Sequence, residues 1–178
     1  MSFSNSSRLN TKTSVLNSVL CLSNILSGSA NLVMANLMFS EKEIEYLKSQ
    51  RLGRIATAAA TETLSAESMQ PDVVPVGFDF DGDYFYVGGM NLLKSTKYKN
   101  VHKNNKVALV IDDLKTVDPW DPRGIRIYGT ADIVTRKGGY MEGSSTYIRI
   151  KPKKKWSWGV DEPVFLEGKF NVKRAEGS

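Results

Sequence analysis

The sequence predicts a mainly β fold with short helices, about six strands closed or nearly closed into a barrel. Apolar residues alternate with polar ones over several short runs, which is the period of a half-buried strand. Turn residues punctuate those runs, most clearly Asp81-Gly82-Asp83 and Gly88-Gly89. Helical spacing is confined to short stretches, and closing the sheet removes the exposed edges that an open one would leave. With 178 residues and 41% hydrophobic content the chain can bury one sizeable core, so a single domain is expected.

Residues 1–37 do not have the composition of that domain. They are rich in Ser and Asn, hold no acidic residue and carry only Arg8 and Lys12 as charges. The apolar segment 15–22 is interrupted by Asn17 and Ser18 and is too short and polar to span a bilayer. Two readings are open: a leader with Ser27-Gly28-Ser29-Ala30 as a small-residue cleavage site, or a disordered extension ahead of a start at Met34 or Met38. The extension is the preferred of the two, and the domain is expected over 38–178.

The domain opens at Ser40-Glu41-Lys42-Glu43, a Ser-x-x-Glu capping box that predicts a helix to about Gln50. Ile44, Leu47 and Leu52 recur at helical spacing and form its expected core stripe. The period then changes to two. Arg54-Ile55-Ala56-Thr57-Ala58-Ala59 reads as a strand of small residues, and 61–70 as a polar loop. Val74, Val76, Phe78 and Phe80 share one face of the next run, which Asp81-Gly82-Asp83 turns into Tyr84-Phe85-Tyr86-Val87, the pattern of a hairpin. Residues 94–103 form a basic helical stretch with Tyr98 and Val101 inward. The run 107–111 is apolar on both faces, as in a covered central strand; Ile125, Ile127, Gly129, Ala131 and Ile133 mark another strand, and Val164-Phe165-Leu166 begins the last.

Composition narrows the function. A net charge of +5 points to anionic partners, whether nucleic acid, an acidic membrane surface or a phosphorylated small molecule. Cys21 is the one cysteine, so a disulfide framework and a thiolate metal site are excluded, and a reducing, cytoplasmic setting is expected. With His102 the one histidine, a His-rich zinc site is excluded and triad hydrolysis is disfavoured.

Four segments are candidates for chemistry. Residues 94–101 bring Lys94, Ser95, Thr96, Lys97 and Lys99 to a helix start, where hydroxyls, free amides and positive charge suit a phosphate; a solvated basic face is the equal alternative. Arg54 precedes small residues that would let a planar ring lie against the backbone, although such strands are more often packing solutions. Asp118-Pro119-Trp120-Asp121-Pro122-Arg123-Gly124 is a proline-stiffened loop which, with Asp112 and Asp113, gathers carboxylates; their spacing is not that of a calcium loop, and strand-end roles are preferred to a metal. Residues 149–159 set Arg149 and Lys151 to Lys155 beside Trp156 and Trp158, which suits single-stranded nucleic acid, a flat ring with an acidic tail, or a protected strand edge.

Taken together, Arg54-Ile55-Ala56-Thr57, the runs 71–78, 95–101 and 107–113, Pro119-Trp120, Arg123-Gly124-Ile125 and Ser157-Trp158-Gly159 resemble the pyridoxamine-phosphate-oxidase-like class that includes enzymes using the deazaflavin coenzyme F420. The likeness spans residues 38 to about 172. It implies an FMN-binding type of split β-barrel that forms a homodimer, with a flavin-type cofactor, F420 or FMN, in grooves between the subunits. It assigns Ser95, Thr96 and Lys97 to the cofactor phosphate, with Lys99 nearby. Arg54 and Thr57 would line the ring or its tail, the backbone of Val74, Pro75 and Val76 would approach the ring, and Arg123 and Trp158 would close the groove. The implied reaction is hydride transfer between that cofactor and a small organic acceptor such as an activated alkene, with the cofactor carrying the chemistry and no catalytic residue named. Neither a membrane nor nucleic acid is an expected partner. The alternatives are a non-catalytic flavin or haem binder on the same barrel, and a basic barrel binding single-stranded RNA through Trp156, Trp158 and Lys153 to Lys155.

Overall fold

A computed structural model describes residues 38–59, 70–141 and 143–177; the readings of 1–37 and of nearly all of the polar loop lie outside them. The capping box forms as written. Ser40 accepts from the Glu43 amide at 3.2 Å while the Glu43 carboxylate accepts from the Ser40 amide at 2.8 Å, and helix α1 (Glu41–Ser49) follows. Its buried residues are Glu43, Tyr46 and Leu47, with Ile44 half-buried. Leu52, expected on this stripe, is instead exposed at the start of a strand, because the helix stops short of it and the strand turns it outward.

Strands β1 (Leu52–Ala58), β2 (Pro71–Phe80) and β3 (Phe85–Val87) form an antiparallel meander, with Asp81 accepting from the Asp83 and Tyr84 amides to shape the hairpin turn. A single 3-10 turn, Leu92–Lys94, leads into helix α2 (Thr96–Lys103). Strands β4 (Lys106–Thr116), β5 (Asp121–Lys137) and β6 (Ser144–Trp158) complete the sheet. The order is β3-β2-β1-β4-β5-β6, and β3 pairs again with β6, closing a barrel of six strands. A further strand, β9 (Lys173–Glu176), lies along the second half of β6, after a small hairpin of β7 (Phe165–Leu166) and β8 (Lys169–Phe170).

The barrel interior is apolar. Ile55, Val76, Phe78, Phe85, Val107, Leu109, Ile111, Ile125, Ile127, Ile148 and Ile150 fill it, with Phe39, Tyr46 and Leu47 from the N-terminal side and Leu92 and Val101 from the α2 side. These are the alternating positions of each run, so the pattern of residues decides which face is inside.

The closing strand is not the one expected from the sequence. Residues 164–166 form only a two-residue strand with Phe165 and Leu166 exposed, and the barrel is closed by β6, fifteen residues long. Within β6 the register with β5 shifts, since Tyr128 faces Lys154 but Gly129 faces Pro152, leaving Lys153 as a bulge. Pro152 is tolerated there because a bulge relieves it of a ladder bond. Gly129 is required opposite it, since a Cβ would lie 2.4 Å from the Lys151 carbonyl oxygen. Ahead of the bulge Ile148, Ile150 and Pro152 face inward; after it, Lys155 and Ser157 do.

Lys155 is 2% exposed and Glu43 fully buried. The Lys155 ammonium donates to one Glu43 oxygen and the Ser157 hydroxyl to the other at 2.5 Å, so the capping residue of α1 also ties the helix to β6. Burial pulls the Lys155 ammonium below the usual lysine value, against the Glu43 carboxylate that favours its charged form.

Candidate functional site

Two features stand where the sequence places chemistry. One is the start of α2. Ser95 is its N-cap, accepting from the Tyr98 amide at 3.3 Å and donating to the Leu92 carbonyl at 2.6 Å, so its hydroxyl shapes the helix entry. Thr96 is exposed, Lys97 half-buried and Lys94 and Lys99 exposed, and among the described residues none of these lysines has an acidic partner within ion-pair distance. Asn100 fixes the helix to the barrel by donating to the Thr57 hydroxyl at 3.0 Å, a buried bond. Thr57 therefore points inward, under α2, whereas Arg54 on the same strand points outward. The free amides of a first helical turn, an exposed hydroxyl and three unpaired ammonium groups are a donor set that fits a phosphate.

The other is a groove of about 450 Å³ on the outside of the barrel, where Arg54, Asp112, Asp113, Arg123 and Trp158 meet Leu114, Trp120, Pro122 and Phe170. Register places them there: Asp112 faces Gly124, which faces Trp158 across β4, β5 and β6. Gly124 is needed at that crossing, since a Cβ would come within 2.6 Å of the Trp158 ring and 2.9 Å of the Ile111 carbonyl oxygen. Arg54 pairs with Asp112, and Arg123 grips Asp113 with two bonds of 2.7 and 2.9 Å. Tyr46 donates to Asp113 at 3.2 Å and lies under the Arg123 guanidinium, 4.9 Å from ring centre. Burial and then the Asp113 carboxylate raise the Tyr46 phenol above its ordinary value, which keeps it a donor. On β2, Pro75 sits beside Arg54, while Val74 and Val76 face Ile55 and Gly53 on the inner side.

The structure thus brings Arg54, Arg123 and Trp158 into one groove and keeps Ser95, Thr96, Lys97 and Lys99 together on α2, a separate feature joined to β1 through Thr57. Sequence reasoning gave no role to Asn100, Tyr46 or Phe170. Asn100 stood inside the basic helical run as a lone amide, and the signal was its position one residue before inward Val101. The carboxylates Asp112 and Asp113 serve the two arginines, and among the described residues no group of His, Cys, Asp and Glu could hold a metal. The basic run on β6 is largely consumed by pairing: Arg149 with Asp132, Lys154 with Glu176 and Lys155 with Glu43. It does not form a continuous row of free cations for a phosphate backbone. Among the described residues no helix is long and apolar enough to cross a membrane.

The Asp113 network carries a pH dependence. The Arg123 hydrogen bonds, against the cost of burial, hold its carboxyl below the usual range. A carboxyl depressed in the folded state stabilises above its unfolded value, about pH 4, and the contribution is lost as pH falls through the lower folded value. In urea titrations from pH 6 downward, the wild-type midpoint should fall more steeply below about pH 4 than that of Asp113→Asn. Parallel profiles would remove Asp113 from the account.

Comparison with known proteins agrees with this architecture. The family model described as pyridoxamine 5'-phosphate oxidase matches residues 39–158. A relative from Streptomyces rimosus subsp. rimosus, named 5a,11a-dehydrotetracycline/5a,11a-dehydrooxytetracycline reductase, is 35% identical over 127 residues, covering 69% of this chain and 84% of its own. The crystal structure of Group A Streptococcus HupZ superposes with a TM-score of 0.50 at 18% identity, over 70% of this chain and 98% of that one. A FAD-binding protein from Mesorhizobium loti gives a TM-score of 0.47 at 18% identity, over 67% of this chain and 91% of that one. A six-stranded barrel closed by β3 on β6, matched by the family model from Phe39 to the Trp158 groove, makes this chain a member of the pyridoxamine 5'-phosphate oxidase family of split-barrel oxidoreductases.

Proposed function

We propose that the chain binds a flavin-type cofactor, FMN or the deazaflavin F420, and moves a hydride between it and a small conjugated organic acceptor. The observation that carries this reading is the cluster of Lys94, Lys97 and Lys99, without an acidic partner among the described residues, at the capped start of α2, on a barrel whose relative from Streptomyces rimosus is named a reductase. Thr96 and Lys97 would hold the cofactor's phosphate, with Lys99 nearby and Ser95 acting through the cap that sets the helix direction. Thr57 positions α2 through Asn100, and Arg54, Pro75, Arg123 and Trp158 would flank the ring system at the groove. When bound, such a cofactor supplies the hydride chemistry itself. The chain's own contribution is to bind it, to orient the acceptor and to keep water from the reacting face.

A homodimer in the cytoplasm belongs to the same reading. Ala56, Ala108 and Val110 form a flat patch of small side chains on the outer face of β1 and β4, beside Val73, which is 61% exposed on β2. We infer that a second copy covers this patch and completes the grooves.

Titration of the full chain with FMN and with F420, followed by cofactor absorbance and fluorescence, tests the proposal. Wild type should bind at least one of them, and Lys97→Glu should weaken that binding at least about tenfold, since it sets a negative charge against the phosphate. An unchanged affinity, or a wild type indifferent to both, would overturn it. Turnover of reduced cofactor with an added acceptor separates an enzyme from a mere binder.

A further inference from the structure

The geometry points to a second ligand site at the seam where β3 closes on β6, one that takes an aliphatic carboxylate, an unbranched hydrocarbon chain with an anionic head. This goes beyond the hydride-transfer reading, and the site shares no lining residue with the Trp158 groove. Strand β3 ends at Val87, opposite Ile148, whereas β6 begins at Ser144. Past Val87 the chain leaves the seam for the 3-10 turn, while the first residues of β6 run on beside β5. A cleft of about 300 Å³ opens between them, lined by residues 89–94 on one side and by Met141, Ser145 and Thr146 on the other. That volume stands at the lower end of the range for sites that enclose small ligands.

Two tyrosines fix the far wall. The Tyr140 hydroxyl accepts from the Gly88 amide at 2.5 Å and donates to the Gly77 carbonyl at 2.9 Å. The Tyr147 hydroxyl accepts from the Met141 amide at 3.2 Å and donates to the Gly138 carbonyl at 3.3 Å, so Met141 is held in place. Gly88 permits this approach, since a Cβ there would lie 2.9 Å from the Tyr140 hydroxyl and 3.1 Å from the Met141 side chain. At Gly89 a Cβ would meet nothing within 4 Å, and the mouth stays open. Leu92 is buried at the floor, while Met90 and Leu93 are 95% and 58% exposed, so apolar surface stands at the mouth. Among the described residues no aromatic ring lines the cleft, which leaves a flat ring nothing to stack on, whereas Met and Leu side chains adapt to a flexible chain. The charge comes from Lys94, at the end of the 3-10 turn, which has no acidic partner among the described residues. With the cofactor phosphate given to Thr96 and Lys97, Lys94 is left for a head group at the cleft. An ammonium beside apolar walls selects a carboxylate over an alcohol or an amine.

Isothermal titration calorimetry of the full chain with hexanoate, octanoate and decanoate, each below its micelle concentration, tests this, with octanol and octylammonium as the neutral and cationic counterparts. Affinity should rise with length, by up to about fourfold for each buried methylene, and octanoate should bind several-fold more tightly than either counterpart. Lys94→Gln should erase the advantage of octanoate over octanol and leave octanol binding in place. Met90→Ser and Leu93→Ser, both at exposed positions, should each weaken octanoate at least about threefold through the lost apolar contact. Lys97→Ala should leave octanoate binding nearly unchanged. Affinity independent of chain length would overturn the inference, as would octanol or octylammonium matching octanoate, or both serine variants binding like wild type. A loss in Lys97→Ala as large as that in Lys94→Gln would place the acid on the α2 start and overturn it too. So would a change of sedimentation coefficient in Leu93→Ser with octanoate binding intact, which would make the mouth a contact between two copies.

Discussion

Glu43→Ala should lower the unfolding free energy by about 3–5 kcal/mol, the cost of leaving a buried ammonium without its partner. The carboxylate receives the Ser40 amide, the Ser157 hydroxyl and the Lys155 ammonium, so one truncation orphans three donors from two elements. Lys155 cannot turn to solvent without undoing β6, because its neighbours Lys154 and Trp156 already occupy the outer face. The double variant Glu43→Leu with Lys155→Met removes both charges and should recover most of the loss, since apolar replacement of a buried pair is often neutral or stabilising. Urea denaturation of the three proteins decides it. A single variant within about 1 kcal/mol of wild type, the size of an exposed pair, would mean that water reaches the cluster. The consequence reaches the groove as well, because Tyr46 of α1 and Gln50, the residue that caps its end, are both bonded to Asp113.

Gly124→Ala should be the next most damaging change, costing about 1–3 kcal/mol as an overpacked position. The added methyl would meet the Trp158 ring, the Asp112 Cβ at 2.9 Å and the Ile111 carbonyl oxygen at 2.9 Å. Two of these belong to the adjacent β4 ladder and cannot move without breaking it, so the indole has to give way. The variant should therefore lose affinity for groove ligands beyond what its stability predicts, and tryptophan emission should shift as Trp158 is displaced. A folded variant with unaltered emission and unaltered binding would show that the crossing has slack.

The strands with strict alternation were legible in the sequence. In β2 and β5 a single face is buried, and the apolar set follows it. Helix α1 was legible from its capping box alone, but Glu43 was read only as a cap, because a sequence cannot show that Lys155 arrives from the far end of the chain to share it. Strand β6 was read as a basic segment because three consecutive lysines and a proline obscure a buried face. The pairing of Arg54 and Arg123 with Asp112 and Asp113 was equally invisible. Each residue was noticed, but only register across β1, β4 and β5 makes partners of them, and that pairing decides whether the arginines are free to take an anion. The α2 motif kept its integrity because hydroxyl, lysine and capping residues lie within one turn of each other, where local spacing is enough.

The irregularity at Lys153 acts as a phase switch built from one residue. Pair it into the ladder at unchanged chain length, and everything downstream on the strand inverts: Lys154 and Trp156 would turn toward the interior, Lys155 and Ser157 would abandon the carboxylate that waits for them, and Trp158 would leave the groove. Losing Lys153 itself would restore plain alternation and leave Lys155 and Ser157 facing inward, so it is the extra residue's exclusion from the ladder, not the length of the strand, that holds the two faces in place.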